Sequence, residues 1–166
     1  MTLVLHGSNG VTFPNGGTQI GAAKVLQIKR ATYTTQSTLS TGFPADDTVP
    51  QIDEGDQIFS IAMTAAHVNN ILHFTFDGAW YVGTSAGISV ALFNGASSAI
   101  WAKMYRHAQS PPYVWSLVAG TTDAKTYTLR IGDTAGQNCT TNTSDRYGAG
   151  TPGQEVMTLT MMEIEA

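Results

Sequence analysis

Alternation of apolar and polar residues is the main pattern along this chain. Between 24 and 35, Leu26 and Ile28 alternate with Gln27 and Lys29. A two-residue period places successive side chains on opposite faces of a β-strand. Further alternating or short apolar stretches, each predicting a strand, lie at 58–65, 72–76, 80–82, 88–93, 113–118, 126–131 and 156–164. We therefore predict an all-β, antiparallel β-sandwich or jelly-roll-like fold with roughly eight to ten short strands.

Turn-forming residues separate these stretches and suggest how some of them pair. Asn94-Gly95 is the strongest hairpin signal in the chain. It predicts that the strand at 88–93 pairs with a partner over 99–106. Apolar residues of the partner also stand at helical spacing, but a strand agrees better with the Asn-Gly turn. Gly, Thr, Ser and Asn in place of Lys and Glu disfavour helices throughout.

Two long polar stretches are expected to be connections rather than core strands. The first, 37–57, contains Pro44 and Pro50 and is predicted to hold one short strand near 49–52. The second, 132–153, is rich in Gly and Thr and is predicted to hold one weak strand near Cys139.

The first residues of the chain form a segment too short to bury an apolar face of its own. The run PNGG at 14–17 specifies a tight turn between extended stretches at 11–13 and 18–20. We predict an attachment segment over 1–22, which orders against a partner, and a head domain over 23–166. The predicted attachment residues are Leu3, Val4, Leu5, Val11 and Phe13.

Composition and charge exclude several classes of partner. Only 12% of residues are charged, the net charge is −4 and the isoelectric point is near 5.4. Binding to nucleic acid requires clustered Lys and Arg, which this chain lacks, so no nucleic-acid partner is predicted. The start of the chain has no basic region of a secretory signal, and no apolar run approaches the roughly 18 residues of a membrane span.

Residue types that carry catalysis or bind metals are few and dispersed. Cys139 is the only cysteine and has no basic neighbour in sequence, so we predict an inert thiol. The four histidines show no metal-ligand spacing. No nucleophile elbow or phosphate-binding loop is present, and we predict neither an enzyme nor a cofactor or metal. The acidic residues of 46–56 are ligand types that Ca²⁺ prefers, but their spacing favours a solvated loop.

Several aromatic residues stand on the polar phase of predicted strands. Trp101 and Tyr105 lie opposite Ile100 and Met104, so one of the two sets must point away from the core. An outward aromatic ring can stack on a sugar or pack against another subunit. With so few charges in the chain, we favour the subunit interface. Low charge, together with apolar residues on both phases of several strands, predicts a homotrimer.

The residues also resemble a known family. The run V-x-F-P-x-G-x-T-Q-x-x-A-A at 11–23 is similar to the connector that precedes the distal β-domain in bacteriophage tail-fibre and other virion appendage proteins. The resemblance continues through most of the head, in the runs AKVLQI at 23–28, VALFNGASSAI at 90–100, TYTLR at 126–130 and LTMMEI at 159–164.

This resemblance implies a homotrimer with a β-sandwich head, located in the virion and synthesised in the bacterial cytoplasm. It implies contact with a host receptor and, through the N-terminus, with other virion structural proteins. Such fibres often carry long repetitive stalks, whereas only about twenty residues precede this head, which favours a short peripheral appendage on the tail or head. A capsid or tail decoration protein with a purely structural role is the alternative. A pocket at the end away from Met1 would distinguish the two.

Receptor contacts in such a head are expected in loops at the end opposite the attachment segment. The candidate loops are 107–113, stiffened by two prolines, and 132–153, whose polar and aromatic groups suit a host-surface glycan. The predicted receptor-binding residues are Tyr113, Asp145, Arg146 and Tyr147.

Overall fold

The computed structural model describes residues 4–6, 10–12, 18–19, 24–46, 48–82, 87–106, 112–135, 138–142 and 156–166. Within them lie fourteen strands, namely β1 (Val4–His6), β2 (Gly10–Thr12), β3 (Thr18–Gln19), β4 (Val25–Tyr33), β5 (Thr38–Leu39), β6 (Asp56–Thr64), β7 (Ile71–Asp77), β8 (Trp80–Val82), β9 (Gly87–Phe93), β10 (Trp101–Arg106), β11 (Tyr113–Val118), β12 (Ala124–Asp133), β13 (Cys139–Thr141) and β14 (Met157–Ile164). In this part of the chain, no helix has the length and apolar character needed to cross a membrane.

Eight of these strands form two four-stranded antiparallel sheets with a shared core. The β6 sheet has the order β10-β9-β12-β6, and the β4 sheet has the order β11-β7-β14-β4. Numbered along the chain, the eight strands therefore stand as 5-4-7-2 and 6-3-8-1. This is the strand order of a jelly roll, a sandwich built from two Greek keys. The predicted all-β antiparallel sandwich of jelly-roll type is confirmed.

Strand register gives the sandwich two distinct ends. In the β4 sheet, Val25, Ile71, Val118 and Ile164 align at one end. We call it the proximal end because the chain enters the sandwich there. The connections at this end are short and cover 65–70, 94–100 and 119–123. The opposite, distal end receives four connections, which are 34–55, 78–86, 107–112 and 134–156.

The core lies between the two sheets and is rich in aromatic rings. Alternation on β14 illustrates how the sequence fills it, since Met157, Leu159 and Met161 are buried while the intervening residues face outward. Trp101 stacks on Trp115 with ring centroids 4.3 Å apart, which closes the sandwich between its edge strands β10 and β11.

Glu163 continues the buried phase of β14 and is fully buried at the proximal end. Its Oε1 accepts hydrogen bonds from the amide of Ala66 at 2.7 Å and from Asn70 Nδ2 at 2.6 Å. Its Oε2 accepts one from Gln27 Nε2. One carboxylate therefore joins β4, β14 and the 65–70 connection.

The 43–55 segment covers the outer face of the β6 sheet. Phe43 is 4% exposed and packs with Ala91, Phe93 and Ala99. All seven residues of β9 are buried as a result, because the core covers one face of the strand and the segment covers the other. Part of the second apolar face on which the trimer prediction depends is thus buried within the chain itself.

Two local predictions need correction. The short strand expected near 49–52 is absent from that stretch, where Gln51 makes only an isolated bridge to Ser98. A strand of the same connection lies earlier, at β5, because it pairs with β13, the predicted weak strand at Cys139. The hairpin of β9 with β10 is confirmed, but the turn is a seven-residue connection over 94–100 and not a two-residue turn.

The sequence left open which set of β10 side chains points away from the core, and the structure places Trp101 inward. Trp80 is buried, and Trp101 packs against Tyr113 and Trp115. Met104, on the opposite phase of β10, is exposed instead. Alternation identified the two faces of this strand correctly but could not show which one met the core.

The first residues form a small antiparallel sheet in the order β1-β2-β3. Val11 pairs with Gln19 and Thr12 with Thr18, as expected for two strands joined by the predicted turn. The turn run at 14–17 lies outside the described residues. The boundary between an attachment segment and a head near residue 22 stays a prediction.

Candidate functional site

The distal end is built by a third small sheet that the long connections form together. Its order is β5-β13-β8, with one strand from each of three connections. Because those connections cross from one main sheet to the other, their pairing closes this end of the sandwich. The two candidate receptor loops, 107–113 and 132–153, both belong to this end.

Asn142 secures the small sheet to the sandwich. It adopts a φ of 53°, a left-handed conformation that Asn tolerates better than most residues. Its Nδ2 donates hydrogen bonds to the carbonyls of Tyr33 and Thr35, at 3.0 and 2.7 Å. Its Oδ1 accepts one from the amide of Met157. The side chain is 2% exposed, so these bonds satisfy a polar group that would otherwise be buried alone.

The 43–55 segment is fastened at both of its ends. Near its start, the amide of Phe43 donates a 2.7 Å hydrogen bond to the carbonyl of Asp133. Near its end, the Arg130 guanidinium donates to the carbonyls of Glu54 and Gly55, with the shortest bond at 2.7 Å. In between, the amide of Ala99 donates to the carbonyl of Pro50. The segment is therefore held as a fixed wall over the sheet.

A cleft of about 350 Å³ lies between this wall and the outer face of β9 and β10. The wall contributes apolar side chains, Phe43, Pro44 and Pro50, and the strands contribute Ala102 and Met104. Polar groups of the lining are Asp46, Thr48, Glu54, Ser89, Lys103 and Thr134. Ser89 and Thr134 place the cleft at the distal half of the sheet, and Thr134 belongs to the predicted 132–153 loop. Its size is at the lower end of the roughly 300–1,000 Å³ typical of ligand pockets.

Carboxylates give this cleft its electrostatic character. Asp46 accepts hydrogen bonds from the hydroxyl and the amide of Thr48, and these bonds lower its pKa. Glu54 Oε2 accepts a bond from the amide of Gln51 at 2.8 Å. Two carboxylates therefore line the cleft, whereas Lys103 stands on the same phase of β10 as Trp101, opposite to Ala102 and Met104.

The residues predicted to bind a receptor are not all placed by the structure. Tyr113 is 2% exposed and packs against Phe76, Trp80 and Trp101. Its ring fills the core beneath the distal end and presents no face to solvent. Asp145, Arg146 and Tyr147 lie outside the described residues, so their role stays a prediction.

The predicted attachment residues are placed in part. Val4 and Leu5 belong to β1, and Val11 belongs to β2. Leu3 and Phe13 lie outside the described residues. Whether these residues attach the chain to a particle stays a prediction.

Cys139 is buried in β13, in agreement with the predicted inert thiol. Burial, together with the nearby charges of Asp133 and Asp56, raises the pKa of the Cys139 thiol to about 12. The reactive thiolate is therefore scarcely populated at neutral pH.

The histidines and acidic residues of the described part show no metal-binding arrangement. His67 Nδ1 accepts a bond from the amide of Asn69, and His73 Nδ1 lies 2.8 Å from Ser116 Oγ. Asp56 accepts bonds from the amide and hydroxyl of Thr41. No group of three or more His, Cys, Asp or Glu side chains within the described ranges is arranged to hold an ion.

Sequence reasoning singled out the acidic run of 46–56 but not the cleft beside it. The cleft forms because Phe43 seats the segment on Ala91 and Phe93, two residues about fifty positions away. The sequence did contain one signal of a covered face, because Phe93 is a large apolar residue on the outward phase of β9. It indicated that something covers that face, without showing that the cover comes from the same chain.

Comparisons with known proteins match the overall architecture only loosely. No protein-family model and no curated protein matches the chain. Among solved structures, the CBM36-1 domain of a multidomain xylanase from the hindgut metagenome of Trinervitermes trinervoides has a TM-score of 0.39 at 16% identity, covering 83% of this chain and 98% of that domain. The VP2 subviral particle of infectious bursal disease virus has a TM-score of 0.38 at 9% identity, covering 83% of this chain. The Gt strain of that virus has a TM-score of 0.43 at 10% identity and 92% coverage. This chain spans about two fifths of both viral chains, 39% and 41%.

Proposed function

We propose that the chain is a structural virion appendage protein of a bacteriophage, of the tail-fibre or head-fibre kind, and that it mediates attachment to the host surface. In this proposal residues 1–22 anchor it to other virion proteins, and the distal end of the head faces the host. The sequence runs that resemble phage appendage proteins give the proposal its biological setting.

The polarity of the jelly roll is the observation that carries the proposal. The chain enters the sandwich at the proximal end, at Lys24. The described strand ends that flank both candidate receptor loops lie at the other end, and Ser89 and Thr134 of the cleft lie toward that end too. A protein anchored by residues that precede Lys24 would therefore present the cleft and the loops away from the particle. A cleft with polar groups at that end favours host attachment over a purely decorative role.

Self-association as a homotrimer is part of the proposal. The outer face of the β4 sheet exposes large apolar side chains at its proximal half, where Ile28 is 60% exposed and Val118 is 55% exposed. Val25 and Val114, also exposed, and the half-buried Ile71, Met162 and Ile164 share this face. At ~4.8 Å between strands and ~6.8 Å between residues on one face, each residue covers about 33 Å², so the patch covers roughly 230 Å². That area suits the apolar centre of an interface whose standard size is about 800 Å² per partner.

Deletion of residues 1–20 tests the anchoring role. The truncated protein should keep its melting temperature and its oligomeric state, because the jelly roll begins at Val25. It should no longer be incorporated into phage particles. Full-length protein and a variant with the polar substitution Thr2→Ser serve as controls. Incorporation of the truncated protein at the full-length level would contradict the proposed anchor.

Host adsorption tests the receptor-binding role. Particles that carry Tyr147→Ala should adsorb less well to host cells, while the buried Tyr113 is unsuitable for this test because its loss would disturb the core. Substitution of exposed Thr126, on β12, gives a surface control on the same sandwich. Unchanged adsorption by Tyr147→Ala, together with unchanged adsorption by the cleft variants described below, would favour a decoration protein.

A further inference from the structure

The cleft has the features of a preformed binding site. Backbone bonds at Phe43 and Pro50 and the Arg130 bonds to Glu54 and Gly55 hold its wall in place. Its floor includes β9, whose two edges are both paired, with β10 and with β12. That strand offers a ligand side chains rather than free backbone groups. Over β9 the cleft therefore suits a small ligand that side chains recognise.

The lining chemistry narrows the ligand class. Carboxylate oxygens of Asp46 and Glu54 accept hydrogen bonds, and hydroxyl groups of Ser89 and Thr134 can both donate and accept them. Apolar side chains from both walls lie among these groups. A ligand that matches them needs many hydroxyl groups and an apolar C–H face. Sugar rings have both features.

The balance of charge separates neutral from acidic sugars. Two carboxylates line the cleft, and the chain as a whole carries a net charge of −4. A ligand carboxylate in the cleft would lie close to like charges, which is unfavourable. Asp46 is ionised at neutral pH, as an ordinary carboxyl group is, and its hydrogen bonds with Thr48 lower its pKa further. Neutral sugars avoid this repulsion while keeping the hydroxyl contacts.

We propose that the cleft between the 43–55 segment and strands β9 and β10 binds a neutral saccharide unit, one or two rings in size, of a host-surface glycan. Asp46 and Glu54 accept hydrogen bonds from ring hydroxyl groups, and the hydroxyl groups of Ser89 and Thr134 exchange hydrogen bonds with the ring. Met104 and Pro50 contact the C–H face of the ring. This inference rests on the proposed attachment role and assigns it a site and a ligand class. Binding to a single head is weak and gains strength when several heads bind one surface.

Matched sugar pairs test the proposal on purified full-length protein. The probes are methyl glucoside with methyl glucuronide, methyl galactoside with methyl galacturonide, and the methyl glycosides of mannose, rhamnose and N-acetylglucosamine. Saturation-transfer NMR reports binding in the millimolar range. At least one neutral glycoside should bind, and its uronic counterpart should bind at least tenfold more weakly. Absence of saturation transfer from all the neutral glycosides, or equal binding of a matched uronide, would overturn the proposal.

A cleft-filling substitution and its matched control locate the binding. Ala102→Trp introduces a large ring into the cleft from β10, whereas Ala62→Trp places the same ring at an exposed position of β6, outside the cleft lining. The first should abolish saturation transfer, and the second should retain it. Asp46→Asn is a second variant at an exposed position that spares the fold, and it should weaken binding at least fivefold. Retained binding in both cleft variants would show that the sugar binds elsewhere.

The outcomes distinguish this inference from the anchoring role. Failure of glycoside binding with loss of incorporation after deletion of residues 1–20 would remove the saccharide site and leave the virion role intact. Glycoside binding with normal incorporation of the truncated protein would leave the saccharide site and remove the proposed anchor.

Discussion

At the proximal end of the sandwich a single buried carboxylate joins three elements, whereas at the distal end long connections are held by an apolar seat and by backbone hydrogen bonds. Glu163 receives bonds from Gln27, Asn70 and the 65–70 connection. Phe43 instead packs on Ala91 and Phe93. The proximal connections are short, and one of them bonds to the Glu163 carboxylate. The distal connections are long enough to form a small sheet and one wall of a cleft.

This difference shows how one jelly roll can serve two purposes. Short connections bonded to a buried charge give a stiff end. Long connections supported on a finished sandwich give a surface whose residues can vary without disturbing the core. Substitutions at either end should therefore have different consequences, and they can be compared directly.

Removal of the Phe43 ring, which packs on Ala91 and Phe93, should cause the largest loss of stability. Phe43→Ala deletes a ring that is 4% exposed, and phenylalanine truncations of this kind cost about 3–5 kcal/mol. Because the ring holds a connection and not a core strand, amides of 43–55 should also lose protection from hydrogen exchange before the sheets do. Val49→Ala, at an exposed position of the same segment, should change the free energy of unfolding by less than about 0.5 kcal/mol. If protection were lost uniformly across both sheets, the 43–55 segment would not open independently of the sandwich, and the prediction would be wrong.

Removal of the proximal carboxylate should be the next most severe change. Glu163→Ala leaves the buried side chain of Asn70 and the part-buried amide of Ala66 without their acceptor, at about 1–3 kcal/mol for a buried group left unsatisfied. Chemical denaturation should show a loss of roughly 3 kcal/mol. Glu54→Ala at the distal cleft should cost less than about 1 kcal/mol, since Glu54 is only half-buried and accepts a hydrogen bond from the amide of Gln51. Equal losses of stability in Glu163→Ala and Glu54→Ala would mean that the buried carboxylate at the proximal end contributes no more than the half-buried one at the cleft.

Steric crowding beneath the distal segment gives a smaller effect. A Cβ atom at Gly132 would lie 2.5 Å from the carbonyl oxygen of Thr41, which is backbone and cannot move aside easily. Gly132→Ala should lower the free energy of unfolding by about 1–3 kcal/mol and shift the 43–55 segment outward. Gly95→Ala is the contrasting case, because nothing lies within 4 Å of the added Cβ and only its φ of 90° is unfavourable. Saccharide binding should fall in Gly132→Ala and be preserved in Gly95→Ala.

Sequence patterns predicted the strands well because alternation is a local property. The stretch at 113–118 places Tyr113 and Trp115 on one face, and the structure buries both. The buried phase of β14 even included the signal for the proximal joint, since Glu163 follows Met161 by two positions. A carboxylate on the buried phase of a strand indicates that hydrogen-bond donors surround it. The donors to Glu163 lie on β4 and on the 65–70 connection, which meet β14 only in the folded chain.

The order of strands and the candidate site depended on contacts between distant residues. Thr38 and Leu39 form a strand only because Thr140 and Cys139 lie beside them, and two residues carry no periodicity of their own. In the sequence Phe43 stands in a polar connection, and only the folded chain brings it against Phe93. The cleft follows from that contact, so no local pattern could predict it.

The smallest expected effect is on the pH dependence of the free energy of unfolding. It should depend on Glu163 at the proximal end and not on Asp46 at the distal end. Burial tends to raise the pKa of Glu163, but hydrogen bonds from Asn70, Gln27 and the 65–70 backbone outweigh it and hold the pKa below its ordinary value of 4.5. A carboxyl whose pKa is lowered on folding stabilises the protein above its unfolded pKa, and this contribution is lost as the pH falls through the folded pKa.

Denaturation curves measured at a series of pH values below about 4.5 should therefore show the wild-type advantage over Glu163→Gln shrinking as the pH falls. Asp46→Asn at the distal end is the control, because Asp46 also has a lowered pKa but is fully exposed to solvent, where screening weakens its contribution. That variant should follow the wild-type curve. A constant difference between wild type and Glu163→Gln at every pH would mean that the carboxylate acts through its shape and not through its charge, and the electrostatic account of the proximal joint would be wrong.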